Sequence, residues 1–352
     1  SQTHAEAIDA DIVIGSQDKS KILEYLDQYF SHSEAIKKLY DVREETFFEA
    51  MNIHHFDNHT RAFVKIQDGC NAFCSYCIIP YARGRARSKK YEDVVSEVSE
   101  LVLNGYQEIV LTGIHTGRYG LDLENMNLEK LLRRLVEIPN IYRIRLSSIE
   151  VNEVTDGIID LMKSSPVIAR HLHIPLQSGS DKILRRMNRC YDVAEFEERI
   201  KKIREIDPDI SLTTDLIVGF PGETEEDFLE TLDTLKRIHF TKIHTFPYSK
   251  RENTPASVMK DQVDGIVKKR RVKEVLKLSN EMERAFYEKY LGRILPGLSE
   301  CSKKGEVSIL TSNYIQVSVE GNIPNNKCCL VKITKIDEQQ KVYGEFVSYL
   351  EK

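Results

Sequence analysis

Cys70, Cys74 and Cys77 fall within eight residues, in the run Cys70-Asn-Ala-Phe-Cys74-Ser-Tyr-Cys77. Thiolates are good ligands for soft transition metals, and three this close can converge on one metal centre. A cubane [4Fe–4S] cluster held by three thiolates keeps its fourth iron open to another ligand, which suits catalysis better than simple electron transfer. Tetrahedral zinc is the alternative, but it wants a fourth ligand. His54, His55 and His59 are the nearest candidates, and they lie on the wrong side of a strand-like run. The other four cysteines, Cys190, Cys301, Cys328 and Cys329, are dispersed and read as small apolar packing residues. An odd total of seven does not suit a disulfide framework.

A second feature follows directly: Tyr81-Ala-Arg83-Gly-Arg85-Ala-Arg87-Ser-Lys89-Lys90 carries five cations and no carboxylate. Next to the cysteine loop, this is a candidate grip for nucleic-acid phosphates. Global charge offers no such signal, because 50 Lys and Arg against 55 Asp and Glu leave −5. Another basic run, residues 268–273, reads equally well as a solvated helix face. No apolar run approaches the ~20 residues of a spanning helix, and the N-terminal stretch lacks signal-peptide regions. A cytoplasmic protein without a membrane partner is the expectation.

The elements that position the cysteines alternate between strand-like and helical runs. Strands are expected at 62–67, 108–113, 142–148, 171–177, 211–220 and 241–246, with helical periodicity at about 91–104, 128–138, 154–163 and 224–238 and in the DKILRRM and FEERIKKIREI runs. Six βα repeats imply a parallel sheet with helical crossovers. The polar or glycine-bearing loops after nearly every strand favour a partial barrel, whose C-terminal loops converge on one face. Residues 1–45 read as one strand, a glycine turn and one helix, with Ser16 or Asp18 as its cap. A long charged helix at about 262–290 leads into alternating, β-branched segments that predict a small antiparallel β-barrel.

The three-cysteine spacing resembles that of the radical S-adenosylmethionine (SAM) enzymes, in which such a loop follows the first strand of a partial TIM-like (β/α)6 barrel. The runs GCNAFCSYCIIPYARGRARS, SSIEVNEVTDGIIDLM, HLHIPLQSGSDKILRRMNRCY and TTDLIVGFPGETEEDF are similar to those of the methylthiotransferases that act on tRNA. The TGIHTGRYG segment, in place of a Gly-Gln-Asn sequence, points to the branch that makes 2-methylthio-N6-threonylcarbamoyladenosine beside the anticodon. The resemblance covers roughly residues 1–350. It implies three parts: residues 1–50 as the end of an N-terminal α/β domain plus linker, 56–289 as the radical SAM barrel, and 290–352 as a TRAM-like RNA-binding β-barrel.

The same resemblance implies a [4Fe–4S] cluster on Cys70, Cys74 and Cys77, which carry the catalysis, and SAM on its open iron. Tyr76 would lie near the adenine of SAM, Gly113, Gln177 and Ser178 would face the cofactor, and Asp215, Ile217 and Gly219 would line its ribose and adenine. Gly219 and Gly222 also read as a tight βα turn. Arg83, Arg85, Arg87, Lys89 and Lys90 would meet tRNA, with Asn313 and Tyr314 as exposed candidates in the tail. Relatives in the family carry three more cysteines in their N-terminal domain, holding a second [4Fe–4S] cluster for sulfur delivery. No cysteine precedes Cys70 here, so SAM binding is expected while full sulfur insertion depends on that further domain. An electron donor and a sulfur source are needed, and a monomer is expected.

A radical is needed because the C2–H bond of adenine is neither acidic nor activated toward any protein base or nucleophile. The other readings are a radical SAM methylthiotransferase acting on a ribosomal-protein side chain, and an RNA-binding adaptor with a structural metal. The basic rim favours RNA over a peptide, and the lack of an evident fourth ligand disfavours the adaptor.

Overall fold

The computed structural model describes residues 8–15, 17–42, 44, 46–56, 59–303 and 305–350. Its centre is a run of six parallel strands: β3 (Ala62–Asp68), β5 (Glu108–Gly113), β6 (Arg143–Leu146), β7 (His171–His173), β8 (Ser211–Val218) and β9 (Lys242–Pro247). β3–β5–β6 and β7–β8–β9 form parallel ladders, and the bridges Ile144↔Ile168 and Ser148↔His173 join them. β3 and β9 do not pair, so the barrel is open along one seam. This is the expected partial (β/α)6 barrel.

Alternation along each strand sorts its side chains. Ala62, Val64, Ile66, Ile109, Leu111, Ile144, Leu146, Leu172, Leu212 and Leu216 belong to the main apolar core. Against them pack α3 (Tyr91–Leu103), α4 (Leu128–Leu135), α5 (Asp156–Ser164), α7 (Val193–Ile206) and α8 (Glu225–Ile238); Val94, Val98 and Leu101 show the i, i+4, i+7 spacing on α3. Several of the intervening strand positions are polar, among them Glu108, Arg143, Arg145, His171, Thr213 and Asp215, while Phe63, Val110 and Ile217 are apolar. Side-chain caps start four of these helices, Asn127 for α4, Thr155 for α5, Asp192 for α7 and Thr224 for α8. The shorter α2 (Ile79–Arg83) and α6 (Asp181–Arg186) sit in the loops after β3 and β7.

Four strands escaped the sequence reading. β1 (Ile12–Ile14) pairs in parallel with β2 (Ile36–Lys38) across α1 (Ile22–His32), so the N-terminal segment is a βαβ unit rather than a lone βα. β4 (Arg87–Ser88) folds back antiparallel onto β3. β10 (Ile294–Lys303) and β14 (Val342–Tyr349) complete the C-terminal barrel with β11 (Glu306–Thr311), β12 (Gln316–Glu320) and β13 (Cys328–Ile336). That barrel is closed and antiparallel except where β12 and β14 meet in parallel, a departure from the all-antiparallel expectation. Ser16 lies outside the described residues. Asp18 caps nothing with its side chain; its carboxylate instead accepts from Tyr40 at 2.5 Å and pairs with Lys21 at 2.9 Å.

The long helix α9 (Gly265–Glu288) links the two barrels. The C-terminal barrel seals the N-terminal end of the strands. Arg143 donates to Leu310 O at 3.1 Å and Arg145 to Thr311 O at 3.2 Å, while both guanidinium groups pair with the buried Glu108 at 3.0 and 2.9 Å. Tyr314 stacks on His171 at 4.5 Å, and Asn313 is buried. Tyr314 keeps the expected exposure, 44% of its surface, beside this joint, whereas Asn313 departs from it: buried, it accepts from the Thr311 hydroxyl at 2.7 Å.

Candidate active site

The cysteine loop leaves the C-terminal end of β3 and is shaped by two glycines with left-handed backbones, Gly69 (φ +71) and Gly84 (φ +72). A Cβ on Gly69 would stand 1.9 Å from Arg85 O, and one on Gly84 1.9 Å from Val42 O, so the chain crosses itself where only glycine fits. Cys70 N donates to Gly84 O at 3.1 Å and closes the excursion. Its far side is pinned to the loop after β7, where Ser75 N donates to Met187 O at 3.0 Å and Ser75 Oγ to Arg186 O at 2.8 Å.

All three cysteines are free thiols; Cys74 is buried, while Cys70 and Cys77 are partly open. Gln67, wholly buried, donates to Gly69 O and accepts from His115 N, both at 2.8 Å. That clamp brings His115 Nδ1 to 3.4 Å from Cys70 Sγ, with His115 Nε2 2.7 Å from Glu153. Burial pushes the Cys70 thiol up, but the contact with His115 and the N–H of Ala72 outweigh it and hold the thiol below its usual value. Burial also opposes protonation of His115, yet Cys70 and Glu153 raise it to about 9. Cys77 is pushed up by burial and by the charges of Cys74 and Cys70. Arg189 Nη1 donates to Cys74 Sγ at 3.2 Å.

The donor set suits a cluster better than a single ion. The three thiols lie near enough for Cys77 to feel the charges of Cys74 and Cys70, and no group of three His, Cys, Asp or Glu among the described residues is arranged around a single ion. A cubane binds its three thiolates at three separate irons, so it does not ask the sulfurs to converge on one tetrahedral ion. His54 pairs with Glu100 at 2.7 Å, and His59 packs on Phe56 and Phe63 near the start of β3, at the opposite end of the strand. His55 lies beside Tyr106. None of the three histidines approaches the thiols, which removes the expected source of a fourth zinc ligand.

The other sequence candidates separate into two groups. Tyr76 packs with Ile217 against Phe220, Tyr248, Ile183 and Met187 in a small apolar cluster beside the cysteine loop, and burial raises its hydroxyl well above the usual value. Gln177 has a left-handed backbone (φ +65) and is locked onto β8, donating from N to Asp215 O and accepting at O from Ile217 N, both at 2.9 Å. Asp215 keeps a third of its side chain exposed and lies 3.3 Å from His173 Nε2. Gly113 sits beside Gln67, where a Cβ would press on that side chain at 3.1 Å.

Gly219 (φ +69) turns the chain at the end of β8, its N–H donating to the Glu223 carboxylate, and Gly222 (φ +83) makes the second half of the turn. Ser178 departs from expectation. It is fully buried and its hydroxyl accepts from Ser180 N at 3.3 Å, because the following Gly179 packs directly under α8.

The basic strip also divides. Arg85 and Lys90 are exposed, and Arg83 is half-exposed at 3.9 Å from Asp68. Arg87 and Lys89 are not phosphate ligands here: Arg87 is buried and donates to Arg83 O and Arg85 O at 2.8 and 3.0 Å, and Lys89 is buried against Glu97 at 2.5 Å. Sequence reasoning missed His115, Glu150, Glu153 and Arg189. All four stand inside the motif runs already singled out, and those runs were the available signal.

Residues 64–235 match the model of the radical SAM superfamily. The chain is 41% identical over 351 residues, 97% of its own length and 77% of the relative's, to the threonylcarbamoyladenosine tRNA methylthiotransferase MtaB of Bacillus subtilis (strain 168). It is 40% identical to the MtaB of Aquifex aeolicus (strain VF5), over 91% of this chain and 77% of that one. A tRNA-2-methylthio-N(6)-dimethylallyladenosine synthase of Clostridium tetani (strain Massachusetts / E88) matches at 39% identity, over 92% of this chain and 72% of that one. Among solved structures, the radical SAM enzyme coproporphyrinogen III oxidase (HemN) of Escherichia coli aligns with 12% identity and a TM-score of 0.47, covering 83% of this chain and 73% of that one. The superfamily's cofactors are a [4Fe–4S] cluster and SAM, and the three thiols at the mouth of an open parallel barrel fit them. With relatives this similar along nearly its whole length, the chain belongs to the radical SAM methylthiotransferase family.

Proposed function

We propose that this chain methylthiolates C2 of adenine in tRNA carrying N6-threonylcarbamoyladenosine next to the anticodon, with Cys70, Cys74 and Cys77 holding the cluster. The observation that carries the substrate is the alignment of 97% of the chain with the B. subtilis threonylcarbamoyladenosine enzyme. When bound, the cluster and SAM supply the one-electron chemistry that an unactivated C–H bond demands.

The chain's own residues orient and shield that chemistry. Tyr76 and Ile217 give an apolar wall for the adenine of SAM, Gly113 leaves room beside Gln67, and the Gln177–Asp215–Ile217 clamp with Gly219 fixes the strand end that carries polar contacts. Asp215 offers its carboxylate to the ribose hydroxyls, and burial of Cys74 keeps water from one sulfur. Arg83, Arg85 and Lys90 grip phosphates at the rim, and an unstacked anticodon-loop base reaches the mouth from there.

In this reading residues 56–289 form the catalytic barrel and 290–352 an RNA-binding module. The protein works in the cytoplasm as a monomer, taking electrons from a partner and sulfur from a second cluster or another source. Among the described residues no helix is long and apolar enough to cross a membrane.

Binding of anticodon stem-loops to the reconstituted chain tests the substrate. Tighter binding of the threonylcarbamoyl form than of the dimethylallyl form is expected, followed by the methylthio nucleoside in mass spectra once sulfide, SAM and reductant are supplied. Preference for the dimethylallyl form would assign the chain to the other branch.

A further inference from the structure

Arg189 is nearly buried, its side chain 5% exposed, and every edge of its guanidinium is used. Nη1 donates to Cys74 Sγ at 3.2 Å, Nε to Tyr191 Oη at 3.1 Å, and Nη2 to the Glu150 carboxylate. The guanidinium also lies 4.9 Å from the Tyr191 ring, and Tyr191 is itself fixed by donating to Pro175 O at 2.9 Å. Glu150 begins the capping box of the short turn Val151–Glu153, whose other carboxylate, Glu153, holds His115 beside Cys70. One turn after β6 therefore anchors the polar neighbours of two of the three thiols.

We propose that Arg189 is a positioning residue for Cys74, donating an N–H···S hydrogen bond that aims the thiolate and makes the metal centre easier to reduce. The proposal rests on the assignment of the three cysteines as cluster ligands. Reduction adds one electron and breaks no bond at the cysteines, so the sulfurs become more electron-rich. A charged donor on one sulfur stabilises that state more than the oxidised one, and hydrogen bonds to sulfur are a recognised determinant of cluster potential. Arginine keeps its charge throughout the working pH range, so the effect does not depend on a titration.

The test uses the full chain, reconstituted anaerobically, as wild type, Arg189→Gln and Arg189→Lys. Iron and sulfide content are measured beside the midpoint potential, by EPR-monitored titration with dithionite and mediators. The expected result is about four irons per chain, the number the cluster requires, in all three proteins. The midpoint shifts to more negative potential in Arg189→Gln, with Arg189→Lys between it and wild type. Pulsed EPR in deuterated buffer should show an exchangeable-deuteron coupling weakened in Arg189→Gln. Full iron content with an unchanged midpoint in Arg189→Gln makes Arg189 a packing residue and overturns the inference. If Arg189→Gln does not fold, an unchanged midpoint in Arg189→Lys has the same force, because an ammonium cannot reproduce the three-way fork. A wild-type chain that takes up no iron overturns the cluster assignment and the inference with it.

Discussion

Lys89 donates to Glu97 across 2.5 Å with both side chains at or below 5% exposure, so a lysine from the middle of the basic strip closes a buried ion pair between the strip and α3. Lys89 also reaches Asn52 at 2.6 Å. Lys89→Met would leave Glu97 charged and unpaired in the interior, at a cost of about 3–5 kcal/mol. Arg85→Gln and Lys90→Gln, at exposed positions, should change stability by less than about 0.5 kcal/mol. Each should lower the salt slope of tRNA binding by ~0.9 if it meets a phosphate. Urea unfolding and filter binding at several salt concentrations separate the two behaviours.

Gly69 makes a second prediction. With φ +71 and Arg85 O 1.9 Å from the site of any Cβ, Gly69→Ala must displace the returning basic segment. Strain alone costs about 1–3 kcal/mol. The apo protein should melt earlier, and iron uptake should fall because Cys70 is the next residue. Gly265→Ala is the control: a Cβ there meets nothing within 4 Å, and it should leave both unchanged.

The parts of the chain that proved legible are those whose pattern is local. β3, β5 and β9 fall within a residue of expectation because apolar or alternating runs end at polar or glycine-bearing loops. β2 and β4 are three and two residues long, too short for any periodicity. Arg87 and Lys89 looked like surface charge because composition says nothing about burial; Asp68 and Glu97, which face them, sit outside the strip. The contacts that define the mouth are remote in sequence, 45 residues for Cys70–His115 and 115 for Cys74–Arg189. A spacing motif names the ligands, and only the fold supplies their neighbours.

Glu108 sets the acid sensitivity of the joint between the two barrels. Burial pushes its carboxyl up, but Arg145 and Arg143 outweigh that and hold it below the ordinary 4.5. A carboxyl whose value is lower folded than unfolded contributes stability above pH ~4.5, and that contribution is lost as pH falls through the folded value. Glu108→Gln leaves two buried guanidinium groups short of an anion and should cost about 3–5 kcal/mol at neutral pH. The gap between wild type and variant, followed by denaturant unfolding, should narrow as pH drops below 4. A gap that widens in acid would place the stabilising charge elsewhere.

The last prediction separates the two sequence candidates that the fold treats differently, Asp215 and Ser178. Asp215 uses its backbone carbonyl to hold Gln177, leaving a partly exposed carboxylate on β8, 3.3 Å from His173 Nε2. Ser178, one residue beyond Gln177, is turned inward beneath α8 and already accepts a hydrogen bond from Ser180 N. If Asp215 meets the ribose of SAM, Asp215→Ala removes a hydrogen bond to a charged acceptor, worth about 1.5–3 kcal/mol. Affinity should then fall about tenfold or more. Ile217→Ala removes apolar wall and should cost a few-fold, whereas Ser178→Ala should leave affinity unchanged. Isothermal titration of SAM into the reconstituted variants reads all three. Weakening in Ser178→Ala as large as in Asp215→Ala would mean that the loop after β7 opens when SAM binds, and that the buried serine is a ligand after all.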